Sequence, residues 1–134
     1  VITAFGDTFY FLALLSPTDE AHPQAQELSR SAELRVVTTA WVVTEVADGL
    51  AGRDNRYLFE PFWSRAKASP LIEVVAFSNA LFEQGIALYA DRPDKHWSLT
   101  DCISFVVMRD RGLTDALTGD RHFEQAGFKP LLAD

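Results

Sequence analysis

The sequence predicts an α/β protein, a three-layer α/β/α sandwich built on a mostly parallel sheet. Three observations predict it. Short β-rich runs alternate strictly with helix-length segments, and right-handed crossovers between parallel strands place such helices on both sheet faces. The chain has 134 residues, 48% of them apolar, enough to fill one core without disulfides or metal staples. No internal repeat, low-complexity tract or linker divides it, so a single domain over residues 1–134 is expected.

Val1–Phe5 is short and β-rich and stops at Gly6-Asp7-Thr8, a strand ending at a helix N-cap. Helical sequence runs from Tyr10 to Leu15, is punctuated by Ser16-Pro17-Thr18-Asp19, and resumes over Glu20–Ala32 with Ala25, Leu28 and Ala32 at helical spacing. Arg35–Thr39 is the second strand. In the helix Trp41–Leu50, residues Trp41, Val42, Glu45, Val46 and Gly49 fall on one side, so Glu45 rides on an otherwise apolar face. A helix over Tyr57–Ala68 leads through Ser69-Pro70 to the third strand, Leu71–Val75. Ser78 caps a helix reaching Ala90, and Asp91–His96 is polar loop. The helix Ser98–Arg111 is closed by Gly112, with Asp101, Phe105 and Met108 near one stripe and Cys102 beside it. Thr114–Thr118 is the fourth strand and ends at Gly119-Asp120. A short helix over Arg121–Ala126, a stop at Gly127 and a fifth strand, Phe128–Leu132, finish the chain.

The net charge of −7 argues against a broad basic face of the kind that binds nucleic acid by phosphate neutralisation. Apolar runs such as Phe9–Leu15 fall far short of the roughly 20 residues that span a bilayer. The start of the chain has no charged n-region followed by an apolar h-region, and Cys102 is the lone cysteine, so a reducing cytoplasm is expected.

Ligands of open α/β sheets bind outside the carboxyl ends of the strands, where strand order reverses. Asp7 and Asp120 follow the first and fourth strands and approach each other if those strands are neighbours. Asp101 begins the helix feeding the fourth strand and Glu45 the helix after the second, so both reach the same edge. Taken singly, Asp7 and Asp120 read equally well as helix caps. Glu45 and Asp101 are costly on apolar helix faces unless an Arg or Lys or a metal pairs with them. Four converging carboxylates repel, and a hard divalent cation relieves that repulsion.

These residues resemble the PIN-domain family, in particular the VapC-type toxins of bacterial toxin–antitoxin pairs. The resemblance rests on Asp7-Thr8, on Thr44-Glu45-Val46, on Trp97-Ser98-Leu99-Thr100-Asp101-Cys102 and on Leu117-Thr118-Gly119-Asp120-Arg121-His122-Phe123, in that order and spacing, and covers nearly the whole chain. It implies a five-stranded parallel sheet in the order 3-2-1-4-5 and a Mg²⁺- or Mn²⁺-dependent endoribonuclease, the toxin of a type II pair. It also implies an RNA substrate, a cognate antitoxin and a homodimer. One departure is visible: many members carry a small polar residue two places after the first acid, where this chain has Phe9.

On this reading Asp7, Asp101 and Asp120 are metal ligands, and Glu45 is either a ligand or the base toward the attacking water. Thr8 and Thr118 orient metal-bound water through their hydroxyls. Arg121 either holds a substrate phosphate or makes a surface pair with Glu124 or Glu45. His122 has no assigned role, His22 and His96 are isolated in polar loops, and no histidine spacing suits zinc. Asp48, Asp94 and Asp115 read as solvated charges, Asp94 alone being placed to border the pocket. Cys102 reads as a buried structural thiol. The aromatic residues exceed what one small core absorbs, which leaves an oligomer interface or an antitoxin groove to take the remainder. Two alternatives stay open: a non-catalytic PIN-like binding module, and a metal-dependent nuclease acting on DNA.

Overall fold

The β-branched and aromatic runs form five parallel strands: β1 (Ile2–Gly6), β2 (Leu34–Thr39), β3 (Ile72–Val75), β4 (Asp115–Leu117) and β5 (Lys129–Pro130). They pair in the expected order β3-β2-β1-β4-β5, so consecutive β1 and β2 lie on one side of the topological switch and β4 on the other. Phe5 is opposite Val37 of β2 and Ala116 of β4, and Gly6 is opposite Leu117. The computed structural model describes residues 1–133, and the last position of the domain expected over 1–134 lies outside them.

The crossovers carry α1 (Thr8–Leu15), α2 (His22–Ser29), α3 (Ala40–Gly49), α4 (Phe59–Ala68), α5 (Asn79–Asp91), α6 (Leu99–Asp110) and α7 (Arg121–Gln125). α1 packs on α2 and α3, and α5 packs on α6. His22, expected to stand isolated in a loop, is in the first turn of α2 and its Nδ1 lies 2.8 Å from the Ala13 carbonyl, tying α2 to α1. An aromatic file joins the sheet to the late helices: Phe5 stands 6.3 Å from Phe123, Phe123 4.9 Å from Phe105, and Phe105 5.1 Å from Trp97, all four buried. Aromatic pairs at these separations stabilise by about 0.5–1.5 kcal/mol beyond their burial. The consequence for position is larger, because the file fixes α6 and α7 against the end of β1.

Several boundaries differ from those expected. α1 begins at Thr8, two residues before the expected Tyr10, because Asp7, in extended conformation, already stands at the N-cap position. α2 is shorter than Glu20–Ala32: Pro23 is confined to its first turn, and Asp19 accepts a bond from the Ala21 N–H in the preceding turn. β4 stops one residue early because the Thr118 N–H bonds to Ala116 O within its own strand. β5 shrinks to Lys129–Pro130. Gly112 and Gly127 take positive φ, 64° and 95°, and end α6 and α7 as expected.

Gly85 lets α5 lie against α6. A Cβ there would stand 2.3 Å from Ile103 Cγ1 and 3.4 Å from its Cα, so any side chain forces the helices apart. Gly85→Val is expected to destabilise by about 1–3 kcal/mol, the usual cost of overpacking. Gly52→Ala, with open space around it, serves as the silent control in the same thermal melts.

Candidate active site

Pairing of β1 with β4 brings Asp7 and Asp120 to one sheet edge, where the Asp7 N–H bonds to Leu117 O at 3.3 Å. The Thr118 hydroxyl donates to Asp7 Oδ2 at 2.8 Å and accepts from the Asp120 N–H at 3.0 Å, so one buried hydroxyl links the two acids. Asp7 occupies the N-cap position of α1 yet makes no side-chain cap bond, which leaves its carboxylate to the cleft. Asp120 does cap α7, its Oδ1 accepting from the His122 N–H at 2.9 Å.

Asp101 enters from α6 as the third residue of a capping box. Its Oδ2 accepts from the Ser98 N–H at 3.2 Å while Ser98 Oγ accepts from the Asp101 N–H at 3.0 Å. Glu45 comes from the middle of α3, not its start, between buried Val42 and Val46. Thr8 donates to Glu45 Oε1 at 2.6 Å. Among the described residues no Arg or Lys pairs with any of these four carboxylates; the ion pairs that do form join Arg92 to Asp94 and Arg111 to Glu73. Asp94 is therefore engaged on the surface and does not border the pocket. Arg121 is exposed on α7 and makes no ion pair with Glu124 or Glu45.

The residue missed in the sequence is His122. Its Nδ1 lies 3.0 Å from Asp101 Oδ2 and 3.5 Å from Asp120 Oδ1, so its ring reaches the carboxylates of two of the acids. The signal was available in the capping pattern: with Asp120 as N-cap, residue 122 is in the first helical turn, above the cap. Docking of α7 on α6, through buried Phe123 and a 3.1 Å bond from Trp97 Nε1 to Gln125 Oε1, then turns that position toward Asp101. His96 also lines the cleft, with Ser98 and Phe9.

The resulting cleft has a volume of about 300 Å³. A comparable hollow of about 340 Å³ beside α1, α2 and α4 has Arg65 as its only charged lining residue and carries none of this chemistry.

Burial pushes Asp7 up to about 7, with Asp101 and Asp120 adding repulsion against the opposing bonds from Thr118 and the Thr8 backbone. Burial also raises Asp101, against the Ser98 backbone bond and His122, and raises Glu45, against Thr8. Such a set could hold a cation. One ligand atom each of Asp101, Asp120 and His122 lie within 4.8 Å of one another, and the surrounding donors are hard oxygens, a set that suits Mg²⁺ or Mn²⁺.

An acid whose folded-state value is raised holds its proton more tightly folded than unfolded. Metal-free protein is therefore expected to lose stability as pH rises from the ordinary 3.8 of Asp7 toward about 7. Thermal melts in EDTA should show Tm falling across that interval, and Asp7→Asn should raise Tm at pH 8 by roughly 5 °C. Added Mn²⁺, which selects the ionised acids, should flatten the wild-type decline and shift the Asn variant less.

Comparison with known proteins gives a consistent picture. The profile of the PIN domain matches residues 4–129. The 23S rRNA-specific endonuclease VapC20 of Mycobacterium tuberculosis, in two strains, is 28% identical over 124 residues, covering 92% of this chain and 94% of its own. The crystal structure of M. tuberculosis VapC20, described as a sarcin–ricin loop cleaving toxin, superposes with a TM-score of 0.86 at 26% identity, covering 96% of this chain and 98% of that one. FitAcB from Neisseria gonorrhoeae shares the fold, with a TM-score of 0.63 at 22% identity over 95% of this chain and 97% of its own.

Proposed function

Since the chain belongs to the PIN-domain family, we propose that it is a Mg²⁺- or Mn²⁺-dependent endoribonuclease, the toxin of a type II toxin–antitoxin pair. The observation that carries this reading is the convergence of Asp7, Glu45, Asp101 and Asp120 on one cleft with no Arg or Lys to neutralise them among the described residues. Similarity to VapC20, a 23S rRNA-specific endonuclease, makes structured ribosomal RNA the first substrate to consider. A cognate antitoxin, a homodimeric state and a cytoplasmic location complete the reading. No helix among the described residues is long and apolar enough to cross a membrane.

Asp7, Asp101 and Asp120 would hold the metal, directly or through water. A bound cation would supply charge neutralisation at the phosphate and activation of a water. Thr118 keeps Asp7 and Asp120 in register, and His122 holds Asp101 from the side. Glu45 has Oε1 engaged by Thr8, which fixes the carboxylate, and its raised pKa suits it to take the proton of the attacking water. The water oxygen then bonds to phosphorus as the bond to the departing ribose oxygen breaks, and that oxygen takes up a proton from solvent to leave as a hydroxyl. Arg121, unpaired among the described residues, is placed to grip a neighbouring phosphate.

Purified protein incubated with ribosomal RNA and Mn²⁺ should produce discrete fragments, abolished by EDTA and by Asp7→Ala or Asp120→Asn. Thr118→Val should cost about 10–100-fold, as removal of a group orienting metal ligands usually does. Cleavage that survives EDTA or both acid substitutions would overturn the metal mechanism. Cutting of single-stranded DNA in preference to RNA would reassign the substrate, and an absence of cutting with metal still bound would favour the non-catalytic module.

A further inference from the structure

Phe9 stands where a small polar residue is common in the family, and its surroundings give it a use. It follows Asp7 and Thr8 into α1, lines the same cleft as the four acids, and remains 38% exposed. A Cβ built on Gly119 would stand 2.6 Å from Cζ of the Phe9 ring and 3.0 and 3.1 Å from its two Cε carbons. With the Cε carbons nearly as close as Cζ, that point lies above the ring's end and not beyond its rim. The end of one ring face is therefore turned toward position 119, which only glycine can occupy without moving the ring. That glycine leads directly into Asp120.

A flat aromatic surface, set against Gly119 and exposed beside a phosphodiester-cleaving centre, is the arrangement that receives an unstacked base. Sequence-tolerant recognition of single-stranded RNA uses such platforms, because every base has a π-face. Tyr57, Phe77, Phe82 and Tyr89 are more exposed, but none of them lines this cleft. The chain's net charge of −7 strengthens the case, since electrostatic attraction to the phosphate backbone is weak here and another source of affinity is needed. We propose that Phe9, set against Gly119, is a nucleobase-stacking platform that positions the nucleotide next to the scissile phosphate. This rests on the ribonuclease reading above and adds the contact that places the substrate.

The test compares Phe9→Leu, which keeps apolar contact with Gly119 but has no π-face, with Phe9→Trp, which keeps the face. Cleavage of ribosomal RNA with Mn²⁺ should show KM rising about tenfold for the Leu variant, the usual effect of losing one stacked base, with kcat little changed. The Trp variant should retain wild-type KM. A short RNA carrying 2-aminopurine at successive positions, bound to Asp120→Asn protein, should show quenching at one position that the added Phe9→Leu change removes. Melting curves establish that each variant is folded, and Phe9→Met replaces the Leu variant if the latter melts early.

If Phe9→Leu matches wild type in KM and in quenching, the ring is only packing and the proposal falls while the ribonuclease reading stands. If wild-type protein neither cuts ribosomal RNA nor binds the labelled RNA, both fall together. A loss confined to kcat would place Phe9 in ordering the metal site and would equally overturn the stacking role.

Discussion

The parallel pairing of β1 with β4 is the constraint on which the rest depends. Only two residues of β1, Phe5 and Gly6, contact it in register, yet that short ladder joins segments more than a hundred positions apart in sequence. It sets Asp7 beside Thr118 and so beside Asp120. Everything else at the cleft is arranged against this seam: α1 leaves it carrying Thr8 and Phe9, and α7 leaves it carrying Arg121 and His122. The aromatic file from Phe5 through Phe123 and Phe105 to Trp97 then brings the start of α6, and with it Asp101, to the same place.

Packing and electrostatics pull in opposite directions at this edge. Apolar burial favours the arrangement, while four carboxylates sharing a small cleft oppose it. Among the described residues no Arg or Lys resolves the conflict. The chain uses neutral donors instead: hydroxyls of Thr8 and Thr118 and backbone N–H groups of Ser98 and His122. Neutral donors orient an anion without cancelling its charge, so the negative potential of the cleft is preserved. A lysine in the same place would have given a more stable fold and an inert one, which is the general trade between stability and function at such centres.

Most of the fold was legible in the sequence because each element is bracketed by strong punctuation. Ser98 with Asp101, Ser78, Gly112 and Gly127 mark helix ends by chemistry that does not depend on tertiary contacts. The short strands were less legible: β4 and β5 owe their ends to hydrogen bonds of Thr118 and to the missing N–H of Pro130, which a propensity pattern cannot weigh. At the site, Asp7 and Asp120 could be placed from topology, and Glu45 and Asp101 from the cost of burying charge. For His122 the capping pattern gives only its place in the first turn of α7, because its contact with Asp101 depends on how α7 docks against α6, a packing fact with no periodic signature. Phe9 read only as a departure from a pattern until Gly119 was seen beside it.

The two-residue strand β5 has a further consequence for how the molecule behaves among its copies. Lys129 and Leu131 turn their N–H groups inward to Thr114 O and Ala116 O, so the intervening residue faces outward. That residue is Pro130, which has no N–H to offer. The outer border of β5 thus presents an acceptor without the alternating donor that an incoming strand requires, and sheet extension on this side is blocked by covalent structure. An all-parallel sheet with an unguarded rim would invite strand-by-strand aggregation at high expression; here one imino acid closes that route at the end nearest the acids.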